Sequence, residues 1–518
     1  ESIIFILIIF FLLSFIYSKR LTNKYIESSK ILNLFENLEH KMNKKYFSIF
    51  FILSISQIVQ LTSLQVETLN WDINTFIVAS KDISRGNLPL TEQWENKGPL
   101  LFILYFIPQL AFENSFLAIK LFNDLIFSIL LLSIFFISRK VSNNNLSSLS
   151  SVLFFVLITG IEFEGHAGYS EYYALLFISL SIYILQNKIS VARIFLCGFS
   201  LSLSYLVTSS VLLILLFITG FVCIKFFNDK TKIIYFFIGL LLPISIFFIL
   251  YLIFNESKIL LENLFVLPFL YRSDIGILVF RKFIKYFIFV ITQHKLILIG
   301  LVNFIIALSI IYKFLKLRSI HNLLNFEYFI YQLIGVSTVT FIIANKGYWH
   351  HIIYFYYFFA IAIAFLKNKK FVNKLIYINF VVLFPVLVAT SFLNIKNFEK
   401  DNYLIYSLYQ DISNEYEIET ALALGDHLFL YYFDIQNESF IIHPSFHDVE
   451  WLLEYFQKQE YISNLELYDI LDSGPDLITC NDNWKNIGLF CEKVSDDTRY
   501  KLYDQNKIGS SIFIKYNN

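Results

Sequence analysis

The 518-residue sequence has four cysteines, no two of them spaced as Cys-x-x-Cys, and a single methionine, Met42. Four cysteines cannot scaffold a chain of this length, and without paired spacing a cysteine-based zinc or thioredoxin-like site is disfavoured. Charge is scarce as well: 16% of residues are Asp, Glu, Lys or Arg, and the 41 basic groups cancel the 41 acidic ones. That balance argues against a basic nucleic-acid binder, and no nucleotide-binding motif is visible. What fills the chain is apolar. Hydrophobic residues make up 57% of it, with 59 Phe and 33 Tyr, and the mean hydropathy of +0.61 is too high for an ordinary soluble globule.

The zero net charge has internal structure. Residues 1–400 hold 34 basic and 20 acidic groups, and residues 401–518 hold 7 and 21. A basic, apolar membrane part followed by an acidic, water-soluble tail is the simplest division consistent with that asymmetry. Cys197 and Cys223 sit in apolar runs and read as buried small side chains, whereas Cys480 and Cys491 lie in the tail. The latter two can pair if the tail faces an oxidising compartment.

A spanning helix needs about 20 mostly apolar residues to cross ~30 Å of hydrocarbon. Such runs fall near 46–64, 117–137, 148–161, 172–187, 194–207, 209–225, 233–254, 296–315, 327–344, 352–366 and 375–393. The expected architecture is a polytopic α-helical membrane protein of about eleven spans, or twelve if residues 2–17 also cross. Residues 1–41 are ambiguous between an extra span and sequence ahead of a start at Met42, with the second reading preferred. Residues 42–393 then form the membrane domain, with an outer loop over 65–116, and 394–518 form a small α/β domain. The stretch 99–112, shorter and interrupted by Pro99 and Pro108, reads as interfacial.

Lys and Arg near span ends stay cytoplasmic. With 40–45 inside, the inner loops carry Arg139 and Lys140, Lys188 and Arg193, Lys225, Lys230 and Lys232, Lys316 and Arg318, and four lysines over 367–374. The outer loop 162–171 has Glu162, Glu164 and Glu171 and no basic residue. The long outer segment 255–295 is basic and is the exception. This threading puts the acidic tail outside, in a bacterial inner membrane, where ALALGDHLFLYYF reads as strand and turn, IIHPSF as a short strand, WLLEYFQKQE as an amphipathic helix, and PDLITC and SSIFIKY as strands.

Charged residues at the mouth of a helical bundle are candidates for chemistry. The first outer loop reads NWDINTFIVASKDISRGNLPLTEQWENKGPLLF from Asn70, with a helix-like stretch over 73–84 ending at Gly86 and Pro89. Asp72, just ahead of it, is either an N-cap or a catalytic carboxylate. Glu171, in GHAGYSEYYALLF, is either a first-turn acid behind a Ser170 cap, favoured by the helix dipole, or a second functional acid. The run NKGYWHH over 345–351 is either an aromatic interface belt or part of a site, and its adjacent His350 and His351 lack His-x-x-x-His metal spacing. Arg272, in the long outer loop, is a candidate second phosphate contact.

An acid soon after the first span, a helix ending in Arg85-Gly86, and Asn96-Lys97-Gly98-Pro99 opening an interfacial segment together resemble the glycosyltransferase-C superfamily. Within it the similarity is to family 39, the PMT-like bacterial relatives of protein O-mannosyltransferases and aminoarabinose transferases. The likeness covers residues 46 to about 366 as architecture. It implies that Asp72 is the general base, Glu171 the second acid and Lys97 a contact to the donor's lipid phosphate. It further implies that Tyr348, His350 and His351 match a His-Tyr pair near the donor site. The chain departs from the family in having Asp72-Ile73 for Asp-Glu, Lys97-Gly98-Pro99 for Lys-Pro-Pro, and Val207-Thr208 where a basic residue often follows the fifth span.

The function expected is inverting transfer of a sugar from a polyprenyl-phosphate donor to an acceptor hydroxyl of a glycan, lipid or protein. The bilayer is a partner and nucleic acid is not. No cofactor is required, though a divalent cation shared by Asp72 and Glu171 is compatible with the pattern. The alternative is a lipid or polysaccharide flippase, which would place polar groups at mid-membrane and often carry an internal repeat; neither is clear in the sequence.

Overall fold

A computed structural model describes residues 45–65, 67, 70–112, 116–162, 168–187, 189–270, 325–343, 349–366, 404–463, 466–481, 484–505 and 510–516. The spans expected at 296–315 and 375–393 and the segment 1–41 lie outside the described residues, as do Arg272 and Tyr348.

The first part is a bundle of apolar helices: α1 (Lys45–Gln65), α2 (Trp71–Ser80), α3 (Pro99–Ala111), α4 (Phe116–Ser142), α5 (Asn145–Glu162), α6 (Ser170–Leu185), α7 (Val191–Val207), α8 (Leu212–Lys225), α9 (Lys230–Ile253), α10 (Phe326–Ile343) and α11 (Ile353–Ile363). Three of them, α4, α9 and α10, are long and apolar enough to cross a membrane. With 27 residues, α4 reaches about 40 Å at 1.5 Å per residue. Its two faces explain how it is solvated. Ile119, Ile126, Leu130, Ile134 and Ile137 are buried in the bundle, while Leu117, Leu121, Leu125 and Ile129 form an exposed apolar row at four-residue spacing. A helix apolar on both faces is stable only where its outer side meets hydrocarbon. At 13 residues, α3 is about 20 Å long, short of a crossing.

The C-terminal part contains α12 (Leu404–Glu415), β1 (Ala421–Leu424), α13 (Leu428–Phe433), α14 (Glu450–Lys458), α15 (Glu466–Ser473), β2 (Leu477–Asn481), α16 (Lys485–Asp496), β3 (Tyr500–Gln505) and β4 (Ser510–Lys515). The sheet order is β1-β2-β4-β3, with β1 parallel to β2 and the other pairs antiparallel. Strands β1, β2 and β4 and helix α14 fall where the sequence pattern places them. The LFLYYF run is helical rather than a turn, and IIHPSF is a single bridge residue followed by a 3-10 turn, because Pro444 starts a new helical turn after His443. Cys480 of β2 and Cys491 of α16 form a disulfide with Cα atoms 5.8 Å apart.

The tail is fastened to the loop between α1 and α3. Glu67 accepts the N–H groups of Ile405 and Tyr406 at 2.8 and 2.7 Å and the Tyr432 hydroxyl at 2.7 Å, capping α12 from the membrane part. Buried Lys81 pairs with Asp434 at 2.8 Å and donates to the Tyr431 carbonyl. The Trp94 N–H donates to the Phe440 carbonyl at 2.6 Å, and the Trp94 carbonyl accepts from Ile442 at 3.2 Å.

Within the bundle, α7 and α9 cross in closest contact where neither has a side chain. A Cβ on Gly198 would lie 2.1 Å from the Phe236 carbonyl oxygen, and one on Gly239 would lie 2.1 Å from that of Phe195. In lipid, where no hydrophobic force draws helices together, such close backbone approach is what dispersion has to work with. Gly239→Val therefore forces the helices apart, and overpacking of this kind costs roughly 1–3 kcal/mol. The melting temperature of the detergent-solubilised protein should fall by several degrees; an unchanged melt would show the crossing to be looser than described.

Candidate functional site

The site begins with the cap of α2. Asn70, extended at φ −170°, accepts the Asp72 N–H at 3.0 Å through its side chain. Asn70 is therefore the N-cap, and the reading of Asp72 as a cap is corrected. Asp72 sits in the first turn, where its charge is favoured by the helix dipole and its carboxylate is left for other partners. Glu171 occupies the equivalent place on α6. There the cap position is Tyr169, with no side-chain cap bond, and Ser170 instead donates to Glu171 Oε2 at 3.2 Å.

The two acids converge on His350 and His351, in the 3-10 turn Trp349–Ile352 that leads into α11. His350 Nε2 lies 3.6 Å from Asp72 Oδ2 and 4.0 Å from Glu171 Oε1, and His351 Nδ1 lies 3.0 Å from Glu171 Oε1. The His350 ring stacks on Tyr169 at 5.1 Å, which sets its plane. Glu171 is 1% exposed and Asp72 24%, so Asp72 is the carboxylate that an incoming group meets.

Lys97 is the cation of the cluster. It is buried, its charge acts on Asp72 and Glu171, and among the described residues it forms no ion pair. A buried ammonium without a partner is costly, and an arriving anion removes that cost. Its place is set by its neighbours. The Asn263 side chain donates to the Lys97 carbonyl at 2.8 Å and accepts the Trp94 indole N–H at 3.1 Å. Gly98 donates to the Val207 carbonyl at 2.9 Å, and a Cβ there would lie 2.0 Å from the Leu206 carbonyl oxygen. Proline fits neither requirement, which gives a physical reason for Lys-Gly-Pro here. The same contact uses the backbone at Val207, where this chain lacks the family's basic residue.

Two further groups join from places the motifs did not mark. His443, in the C-terminal domain, puts Nε2 3.0 Å from Asp72 Oδ1. Glu95 is buried in the loop ahead of Lys97, and its Oε2 has no hydrogen bond among the described residues. Burial alone would raise the Asp72 pKa, but the His443 hydrogen bond and the nearby Lys97 ammonium hold it well below the usual carboxylate range. For Glu95, burial outweighs the charges of His443 and Lys97 and a backbone hydrogen bond from Asn96, and pushes its pKa up. For His443, burial favours the neutral ring, yet the bond to Asp72 and the charges of Glu95 and Asp72 shift its pKa upward. The cluster is an ionised acid, Asp72, in a positive field, with a second acid behind it.

Of the seven residues singled out in the sequence, Asp72, Lys97, Glu171, His350 and His351 fall into one neighbourhood; Arg272 and Tyr348 lie outside the described residues. His443 is 371 residues from Asp72, and no local pattern connects them. Glu95 stands two residues ahead of the recognised Lys97, and its burial is what separates it from a surface acid.

No family model and no curated protein matches the chain. Among solved structures, it is similar to ArnT from Cupriavidus metallidurans bound to undecaprenyl phosphate, at 11% identity and a TM-score of 0.57, over 92% of this chain and 99% of that one. The apo form of ArnT aligns at 10% identity and a TM-score of 0.43, over 90% and 97%. The first likeness shows the fold: the chain shares the architecture of ArnT, as the loop motifs led one to expect.

Proposed function

We propose that the chain is an integral-membrane glycosyltransferase that moves a sugar from a polyprenyl-phosphate donor to an acceptor hydroxyl on the extracytoplasmic face, with inversion. The observation that carries this reading is that a buried Lys97, with no ion pair among the described residues, shares one cluster with an ionised, partly exposed Asp72. Undecaprenyl phosphate bound to ArnT, whose fold this chain shares, supports a lipid phosphate as the ligand. Lys97 meets the donor phosphate and stabilises the charge that grows there as the anomeric C–O bond breaks. Asp72 takes the proton from the acceptor hydroxyl as that oxygen attacks the anomeric carbon. Attack opposite the leaving lipid phosphate inverts the centre.

Asp72→Asn keeps the shape and removes the base, so product should fall below detection with membrane levels unchanged. The measurement compares lipid-linked sugars and surface glycans from cells with the wild-type chain, the variant, and neither. Identical profiles in all three would sink the assignment.

The orientation follows from the basic inner loops, and the Cys480–Cys491 disulfide supports an oxidising compartment for the tail. A C-terminal alkaline phosphatase fusion should be active and a cytoplasm-dependent fluorescent fusion dark. The reverse pattern would place the tail and the site on the cytoplasmic side.

A divalent cation is favoured by one further feature. Glu171 Oε1 and His351 Nδ1 are buried 3.0 Å apart, yet neither makes a well-aligned hydrogen bond among the described residues. Two lone pairs facing one space suit a metal ion, and Glu171, His350 and His351 offer ligand atoms all within 4.8 Å of one another. Bound there, an ion would add positive charge beside the phosphate. Elemental analysis of protein purified without chelator should find about one zinc or manganese per chain, lost in His351→Ala; metal-free wild-type protein from metal-supplemented cells would overturn the assignment.

A further inference from the structure

Asp72 is held by a residue that belongs to the other end of the chain. His443 follows directly on the pair of backbone hydrogen bonds between Trp94 and residues 440 and 442. Its neighbour Ile442 is anchored again, because its carbonyl bonds His427 Nε2 at 2.8 Å. Pro444 then fixes the next turn. The imidazole is constrained at both nitrogens. The Ser445 N–H donates to His443 Nδ1 at 3.3 Å, and Ser445 Oγ lies 2.8 Å from the same atom. In the neutral ring, an Nδ1 that accepts a backbone N–H carries no proton, so the proton sits on Nε2 and points at Asp72 Oδ1, 3.0 Å away; the cationic ring also carries a proton on Nε2.

The carboxylate is therefore not symmetric. Oδ1 is committed to His443, and Oδ2 faces the side of His350 at 3.6 Å. We infer that His443, supplied by the C-terminal domain and set in its tautomer by Ser445, is a positioning residue that assigns Oδ1 of Asp72 to support and Oδ2 to the acceptor proton. The inference rests on the proposed transferase reading. It gives the tail a part in the site: without it, the Asp72 N–H keeps its bond to the Asn70 side chain, but the carboxylate loses the contact that fixes its rotation. A general base displaced by about 1 Å can lose about a hundredfold in rate. Substrate affinity need not change, since Lys97 is untouched.

The test uses membranes from cells lacking the endogenous copy and expressing full-length variants at matched levels. The donor is the lipid-linked sugar fraction that accumulates without the protein. His443→Ala should lower kcat by about 10- to 100-fold with KM for the donor changed by less than about threefold. His443→Gln, whose amide N–H can still reach the carboxylate, should recover at least about a third of wild-type turnover. Ser445→Ala, which frees Nδ1 and lets the proton shift, should fall in between. Wild-type turnover in His443→Ala beside a dead Asp72→Asn overturns the inference and leaves the transferase reading standing. Wild-type behaviour of Asp72→Asn itself removes the transferase reading, and the inference with it. A rise in KM at unchanged kcat also overturns it. If His443→Ala does not accumulate, a well-folded but inactive His443→Gln together with a fully active Ser445→Ala does the same.

Discussion

The backbone of Trp94 gives one hydrogen bond to the C-terminal domain and takes another from it, inside an interface from which water is excluded. Neither partner can be replaced by solvent, so the loop and the tail adopt their shapes together or not at all. The indole of the same residue packs against Phe446 and Phe456 of the tail and donates to Asn263, which in turn holds the Lys97 carbonyl. One residue thus connects the tail, the helical segment after α9 that carries Asn263, and the cation of the site. Glu67 and Lys81 repeat the fastening at two other points along the same loop. The position of Lys97 and Asp72 follows from that three-way join rather than from the loop's own propensities.

The charges of the site are arranged by the same logic. Taking carboxylates and an ammonium out of water is costly unless each meets a counterpart. Here Asp72 is compensated by His443, and Glu171 has His350 and His351 beside it. Among the described residues Lys97 has no ion pair, and Glu95 Oε2 has no hydrogen bond. Groups kept in that condition are where a ligand gains most on arrival, because it meets polar atoms that have already been desolvated.

Much of the membrane part was legible because its signal is local. Runs such as 117–137 and 233–254 announce helices by composition, and Arg139, Lys140, Lys230 and Lys232 mark one set of ends. Asp72, Lys97 and Glu171 were visible because each stands out against an apolar or aromatic context. Capping was misjudged, since Asn70 and Asp72 are both good caps and only the backbone angle at Asn70 decides between them. In the tail, IIHPSF was read from its β-branched residues, but its partner is the distant Trp94, and pairing across that separation leaves no trace in periodicity. His443 was hidden for the same reason: a lone histidine before a proline gives no sign of a carboxylate 371 positions earlier. Gly98 looked like a departure from a motif until the Leu206 carbonyl showed why a side chain is excluded.

The span of chain between Asp72 and His443 also has a temporal meaning. Ribosomes add roughly 5–20 residues per second, so about 20–75 s separate the synthesis of the two partners. By the end of that interval the nascent chain carries Asp72, Lys97, Glu171 and the histidine pair, but until residues 440–443 follow, the carboxylate lacks its clamp and Trp94 lacks its backbone partners. A truncated or stalled product ending before residue 440 is in the same condition permanently. Only once residues 440–443 have been made can Trp94 and Asp72 meet their partners, so a chain that stops short of them lacks the clamp.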